Sequence, residues 1–191
     1  MKRIWLIRHG QSKSQTGEDH DTVNPELSSL GEQQAKRLVE PLKDIFFDVI
    51  LISPLKRAWQ TCQLSEAKSQ LREFDSRVIE SNWGIEGWYK KILPVNTPNI
   101  AKPDRHNAWL KGVEVRASEL LEDVLNRPEG QFIMFGHWAI FNTFFHLFTA
   151  SMETIVAPMN NTGISLLEVD ENQKRSIRFW NEHCHVKKQG V

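Results

Sequence analysis

Cysteine is scarce in this chain: 191 residues contain two, Cys62 and Cys184, far apart in sequence. A chain of this length buries enough core to fold without staples, so a disulfide framework is not expected and a reducing cytoplasm fits. Excess charge of either sign is missing too. Lys+Arg and Asp+Glu both number 24, so no bulk charge would hold nucleic acid or an anionic membrane surface. The 10 Gly and 8 Pro are too few for a collagen-like or low-complexity chain. Long apolar runs are lacking as well. The first, Ile4 to Ile7, ends at Arg8-His9 and is shorter than an export signal's core, so the mature protein is expected to begin at Met1. The stretch from Phe132 to Ala150 contains Gly136, His137, Asn142 and His146, and it divides at the Gly-His into two soluble elements rather than one membrane span.

What is present describes an ordinary globular protein, with 40% hydrophobic and 25% charged residues. Its length suits one domain, residues 1–191. Ile4 to Ile7 reads as a buried strand feeding a long polar loop. A helical pattern opens at Leu27 to Glu32, where Ser29 and Glu32 have capping-box spacing, and it extends to about Asp44. Asp48 to Ile52 is a second strand, after which Ser53 supplies an N-cap and Pro54 the first position of a helix running toward Lys68. Arg77 to Glu80 is a candidate third strand and Gln131 to Phe135 a fourth, joined through a helix from Val113 to Arg127. Trp138 to Phe148 is helical, and Gly163 to Val169 with Ser176 to Trp180 form a closing antiparallel pair. This β-α-β-α order predicts an α/β sheet with helices on both faces. Residues 81–112 break the rhythm with Trp83, Trp88 and Trp109 among glycines and prolines, and they read as a short cap insertion.

In open α/β sheets ligands bind beyond the carboxyl ends of strands, and His9, Glu80 and His137 sit at three such predicted ends. Arg57 joins them on other grounds. Together with Lys56 it places two cations in the first turn of a helix, where the dipole disfavours them; a bound anion would reverse that sign. Asp19-His20-Asp21 and His183-Cys184-His185 are better read as a solvated turn and a frayed tail than as metal sites. No metal or other cofactor is expected.

Three linked segments carry a family resemblance: Leu6-Ile7-Arg8-His9-Gly10-Gln11-Ser12, Leu27-Ser28-Ser29-Leu30-Gly31-Glu32-Gln33-Gln34-Ala35, and Ser53-Pro54-Leu55-Lys56-Arg57-Ala58-Trp59-Gln60-Thr61. With the later Gly136-His137 they resemble the histidine phosphatase superfamily, also called phosphoglycerate mutase-like. The resemblance implies a three-layer α/β/α sandwich with a mixed, mostly parallel six-stranded sheet, and a reaction through a phosphohistidine. It makes His9 the nucleophile, Arg8 and Arg57 the phosphate clamps, His137 the second histidine, Glu80 the proton donor, and Ser12 a phosphate contact. Two positions depart from the family pattern. Gln15 stands where asparagine is common and could serve with a longer reach. Trp138 stands where glycine is common, so that a bulky ring could wall the pocket.

Those residue types suit the chemistry. Arginine presents a planar, permanently charged fork that matches phosphate oxygens. Positioned cations lower the barrier of a loose phosphoryl-transfer transition state. A nucleophilic histidine needs one neutral nitrogen, and hence a carbonyl holding the proton on the other. The expected activity is metal-independent hydrolysis of a phosphomonoester, with a phosphorylated small molecule or a phosphoprotein as substrate. The alternatives are mutase-type phosphoryl transfer, for which the insert offers few basic residues (Lys90, Lys91, Lys102, Arg105, His106 and Lys111), and a silent phosphate-binding module.

Overall fold

The computed structural model describes residues 1–19, 24–80, 111–151 and 156–187. Six strands form one sheet: β1 (Lys2–Arg8), β2 (Phe46–Ile52), β3 (Lys68–Phe74), β4 (Gln131–Gly136), β5 (Ile164–Val169) and β6 (Arg175–Glu182). Their spatial order is β3-β2-β4-β1-β5-β6. β3, β2, β4 and β1 pair in parallel, and β5 runs antiparallel to both of its neighbours. This is the mixed, mostly parallel sheet expected, and the final two strands form the expected antiparallel pair.

The central strands are apolar on both faces because helices cover both. Ile4 and Leu6 of β1 join Phe132 and Met134 of β4 in a core against α5 (Val113–Asn126) and α6 (Trp138–Thr149), which contribute Ala117, Leu120, Val124, Ile140, Phe141 and Phe144. Trp5 and Ile7 turn to the opposite face with Ile50, Ile52, Ile133 and Phe135. There they meet Leu38, Leu42 and Cys62 from the layer formed by α2 (Ser29–Lys36), α3 (Val39–Leu42) and α4 (Lys56–Leu64). A short α1 (Lys13–Thr16) follows β1, and α7 (Cys184–Lys187) ends the described chain. Among the described residues no helix is long and apolar enough to cross a membrane.

Several local expectations are corrected. The helix expected from Ser29 to Asp44 is two helices, because Pro41 in one continuous helix would clash with the carbonyl of Arg37; the break falls at Arg37-Leu38. Its cap is Ser28, whose hydroxyl accepts from Gly31 N. Ser53 does not cap α4. The chain bends at Pro54-Leu55, with Leu55 itself in an extended conformation at the cap position; the helix starts at Lys56, and the amide of Lys56 donates to Asn24 Oδ1 at 2.8 Å. α4 also stops at Leu64, since Lys68 already belongs to β3.

β3 itself replaces the strand expected at Arg77 to Glu80. As an edge strand it exposes alternate residues, so its sequence looks polar. Arg77 instead lies in a 3₁₀ turn, Ser76–Val78, capped by the Asp75 carboxylate. The tail at His183 to His185 is not frayed: it leads into α7, which is docked by Arg37 Nη1 donating to Val186 O at 2.7 Å. Residues 81–110 of the cap, with Trp83, Trp88 and Trp109, and His20 and Asp21 of the candidate turn lie outside the described residues.

Candidate active site

Register builds the centre of the site. Arg8 at the end of β1 pairs with Gly136 at the end of β4, so the residues that follow, His9 and His137, emerge side by side with ring centroids 5.0 Å apart. His9 is tied down from several directions. Its amide donates to Gly136 O, and its carbonyl accepts from Asn161 Nδ2 at 3.0 Å and from the Thr162 amide. Its Nδ1 lies 2.6 Å from Gly10 O, and its Nε2 lies 3.2 Å from Arg57 Nε. A carbonyl only accepts and a guanidinium only donates, so the proton sits on Nδ1 and Nε2 keeps its lone pair. This is the tautomer that nucleophilic attack requires.

Two glycines allow this packing. A Cβ on Gly10 would stand 2.5 Å from Gly31 O, and one on Gly31 would stand 1.9 Å from Gln11 O. Helix α2 therefore rests directly on the backbone that follows His9. The third segment grips the same loop: Thr61 Oγ1 accepts from Gly10 N at 3.0 Å and donates to Arg57 O at 2.6 Å. One turn of α4 thus ties Arg57 to the residue beside His9.

His137 is fully buried, with its Nε2 2.8 Å from Ser53 Oγ. Its Nδ1 has no partner among the described residues, and neither does Arg8 Nε. Arg8 Nη1 donates to Met159 O at 2.5 Å. Glu80 reaches α6, where its Oε1 accepts from Ala139 N at 3.1 Å, two residues past His137. The backbone of Glu80 is pinned by the buried Arg116, whose guanidinium donates to the carbonyls of Arg77, Ile79, Glu80 and Lys111.

Burial, reinforced by the Arg57 charge, holds both histidines well below their ordinary pKa. Burial also lowers Arg8, partly offset by the Glu80 charge. The result is a cationic pocket holding two neutral imidazoles, which suits a dianionic phosphoryl group.

The structure brings His9, Arg8, Arg57, His137 and Glu80 together at the carboxyl ends of β1 and β4. Ser12 lies on the same loop, buried, with its amide donating to Gln15 Oε1 at 2.9 Å. The Gln15 carbonyl is thus engaged in capping α1 and also accepts from Asn161 Nδ2, while Gln15 Nε2 donates to Asn161 Oδ1. Trp138, the first residue of α6, donates its indole N–H to Ala157 O and stays partly exposed.

Sequence reasoning missed Asn161, Thr61 and Ser53 as partners of the site. Thr61 carried a signal, standing one helical turn after Arg57. Asn161 carried none, because its role depends on β5 docking beside β1.

The sequence signature described as "Histidine phosphatase superfamily (branch 1)" matches residues 4–183. The chain belongs to that superfamily. It is 29% identical over 191 residues to Phosphoserine phosphatase 1 of Hydrogenobacter thermophilus, covering 96% of this chain and 82% of the relative. Among solved structures, phosphoserine phosphatase of Entamoeba histolytica in complex with 3-phosphoglyceric acid superposes with a TM-score of 0.71 at 21% identity, over 97% of this chain and 100% of the other. Bacillus stearothermophilus YhfR gives 0.74 at 19% identity, over 98% and 100%. The family fold and the enzyme class, a phosphoric monoester hydrolase of the histidine type, are those expected from the three sequence segments.

Proposed function

We propose that this phosphatase hydrolyses a small phosphomonoester through a phosphohistidine formed on Nε2 of His9, without a metal. The observation that carries this reading is the fixed tautomer of His9, with Nδ1–H on the Gly10 carbonyl and the Nε2 lone pair against Arg57. Arg8, Arg57 and His137 take the phosphoryl oxygens, and the Ser12 hydroxyl adds a contact that Gln15 supports by holding the Ser12 amide. Trp138 walls one side.

His9 Nε2 attacks phosphorus and the P–O bond to the alcohol breaks, the leaving oxygen taking its proton from Glu80. Water then attacks the phosphohistidine, Glu80 takes up the proton, and inorganic phosphate leaves with His9 neutral again. The names of the Hydrogenobacter and Entamoeba relatives make phosphoserine the first substrate to assay. The cysteines are free, Cys62 buried with its thiol pushed up to about 12 by burial and Cys184 exposed, which supports work in a reducing cytoplasm.

The test is a brief incubation with labelled phosphomonoester followed by an alkaline quench. An acid-labile label on His9, absent from His9→Ala, is expected. Turnover retained in His9→Ala, or label on a serine, overturns the reading.

A further inference from the structure

Ser53 lies at the end of β2, fully buried, with its amide donating to Phe135 O of the neighbouring strand. Its hydroxyl makes two contacts, to His137 Nε2 at 2.8 Å and to the amide of Leu55 at 3.4 Å. The Leu55 amide can only donate, so it takes one of the hydroxyl's lone pairs and leaves the hydroxyl proton needing an acceptor. Among the described residues the acceptor in reach is His137 Nε2. A buried hydroxyl proton is rarely left unpaired, so Nε2 carries the lone pair, and in a neutral ring the proton then sits on Nδ1.

We infer that Ser53 is a positioning residue that fixes the proton of His137 on Nδ1 and so makes that histidine a donor toward the transferring phosphoryl group. This rests on the proposed phosphatase reading of the pocket. The opposite arrangement, Nε2–H donating to Ser53, would leave the hydroxyl proton without an acceptor and turn a Nδ1 lone pair toward phosphate oxygens.

The inference also accounts for an oddity of the site. Nδ1 of His137 is buried and has no partner among the described residues, a costly arrangement for an N–H unless a ligand completes it. Around it stand the His9 ring and the charges of Arg57, Arg8 and Arg116. An anion drawn to those arginines brings an acceptor oxygen to the waiting N–H. Ser53 never touches substrate; it decides which face of the imidazole carries the proton.

The experiment reads the tautomer directly. Full-length protein labelled with ¹⁵N-histidine is recorded by long-range proton–nitrogen correlation near pH 7, and His137 is assigned by comparison with His137→Gln. Wild type is expected to show a protonated Nδ1 and a pyridine-like Nε2, whereas Ser53→Ala should show a mixture or the reverse tautomer. Ser53→Thr, which keeps the hydroxyl, should retain the wild-type pattern. In single-turnover kinetics Ser53→Ala should slow phosphorylation of His9 by about 10–100-fold, by analogy with the loss seen when a partner that orients a metal-bound histidine is removed, with Ser53→Thr recovering most of the rate.

A wild-type spectrum with the proton on Nε2, or a tautomer unchanged in Ser53→Ala, overturns the inference whatever the kinetics show. If the tautomers behave as expected but His9 is never phosphorylated, the catalytic reading fails and the assignment of the Ser53 hydrogen bond survives.

Discussion

Acidification should destabilise this protein more steeply than its carboxylates require, and the two site histidines are the main cause, with His185, also lowered by burial, acting in the same direction. In the folded chain burial and the Arg57 charge hold His9 and His137 well below 6.5; in the unfolded chain each titrates near that value. Between the folded and unfolded values the unfolded state binds protons that the native state refuses, so stability rises with pH across that window. The contribution is intact above about pH 6.5 and is lost progressively below it, until the folded pKa is reached. Each histidine that stays neutral adds a slope of about 1.4 kcal/mol per pH unit, and the pair about 2.7. Against a total stability on the order of 5–15 kcal/mol, one pH unit is a large perturbation. Urea unfolding of wild type and His9→Gln between about pH 6.5 and 5 isolates one site, and the variant's stability should fall less steeply by about 1 kcal/mol per unit on average, approaching about 1.4 at the acid end of the window. Orthovanadate should flatten the wild-type slope, because an anion among Arg8, Arg57 and the imidazoles favours their protonated forms and binds the native state alone. Parallel stability curves for wild type and His9→Gln would refute the argument and mean that His9 titrates alike in both states.

Arg57→Ala removes the donor to His9 Nε2 and should lower both phosphate affinity and rate; the acid limb of its kcat/KM profile should move to higher pH, because the Arg57 charge helps hold His9 below its ordinary value. Glu80→Gln keeps size and removes the acid, so alkyl phosphates should slow by about 10²–10⁴-fold in the phosphorylation step and nitrophenyl phosphate much less; equal losses in rapid-quench measurements would make Glu80 architectural, consistent with its bond to Ala139 N. Gly31→Ala gains about 1 kcal/mol of helix propensity but sets a methyl 1.9 Å from Gln11 O. Overpacking of about 1–3 kcal/mol should win, giving a lower Tm and a lower kcat in calorimetry and assay as the loop after His9 shifts.

The residues proposed to touch the phosphoryl group were legible because each sits at a chain landmark. Arg8, His9 and His137 close strands whose apolar runs end abruptly, and Arg57 is a cation where a helix N-terminus should reject one. Gly31 was visible only as part of a segment; its reason, a backbone contact with Gln11, is tertiary. The misread pieces share a cause. Ser53-Pro54 has the composition of a helix start, but the chain bends there and the cap position falls two residues later, at Leu55, and the serine is used elsewhere. β3 was hidden because an edge strand need bury only alternate residues, and the Val78-Ile79 pair that imitated a strand is apolar because both side chains are fully buried, Val78 in the core against α5 and α6.

What local pattern could not supply is the pairing across the sheet. Ser53 and His137 are 84 positions apart, and Asn161 and His9 are 152 apart; no window along the sequence contains either pair. The strand order supplies both. β4 is inserted between β2 and β1, so the residues just past their carboxyl ends stand in the order Ser53, His137, His9, each within reach of the next. β5 pairs with the other side of β1 and brings Asn161 and Thr162 to the His9 carbonyl. Every one of these side chains leaves a strand end or a turn tied to one, and neighbouring strands are held about 4.8 Å apart by their hydrogen bonds. The spacing of the two imidazoles, 5.0 Å between ring centroids, is therefore close to the strand spacing itself. The sheet sets the distance between the two imidazoles, and their hydrogen-bond partners, the Gly10 carbonyl, Arg57 and Ser53, need only set which nitrogen holds the proton.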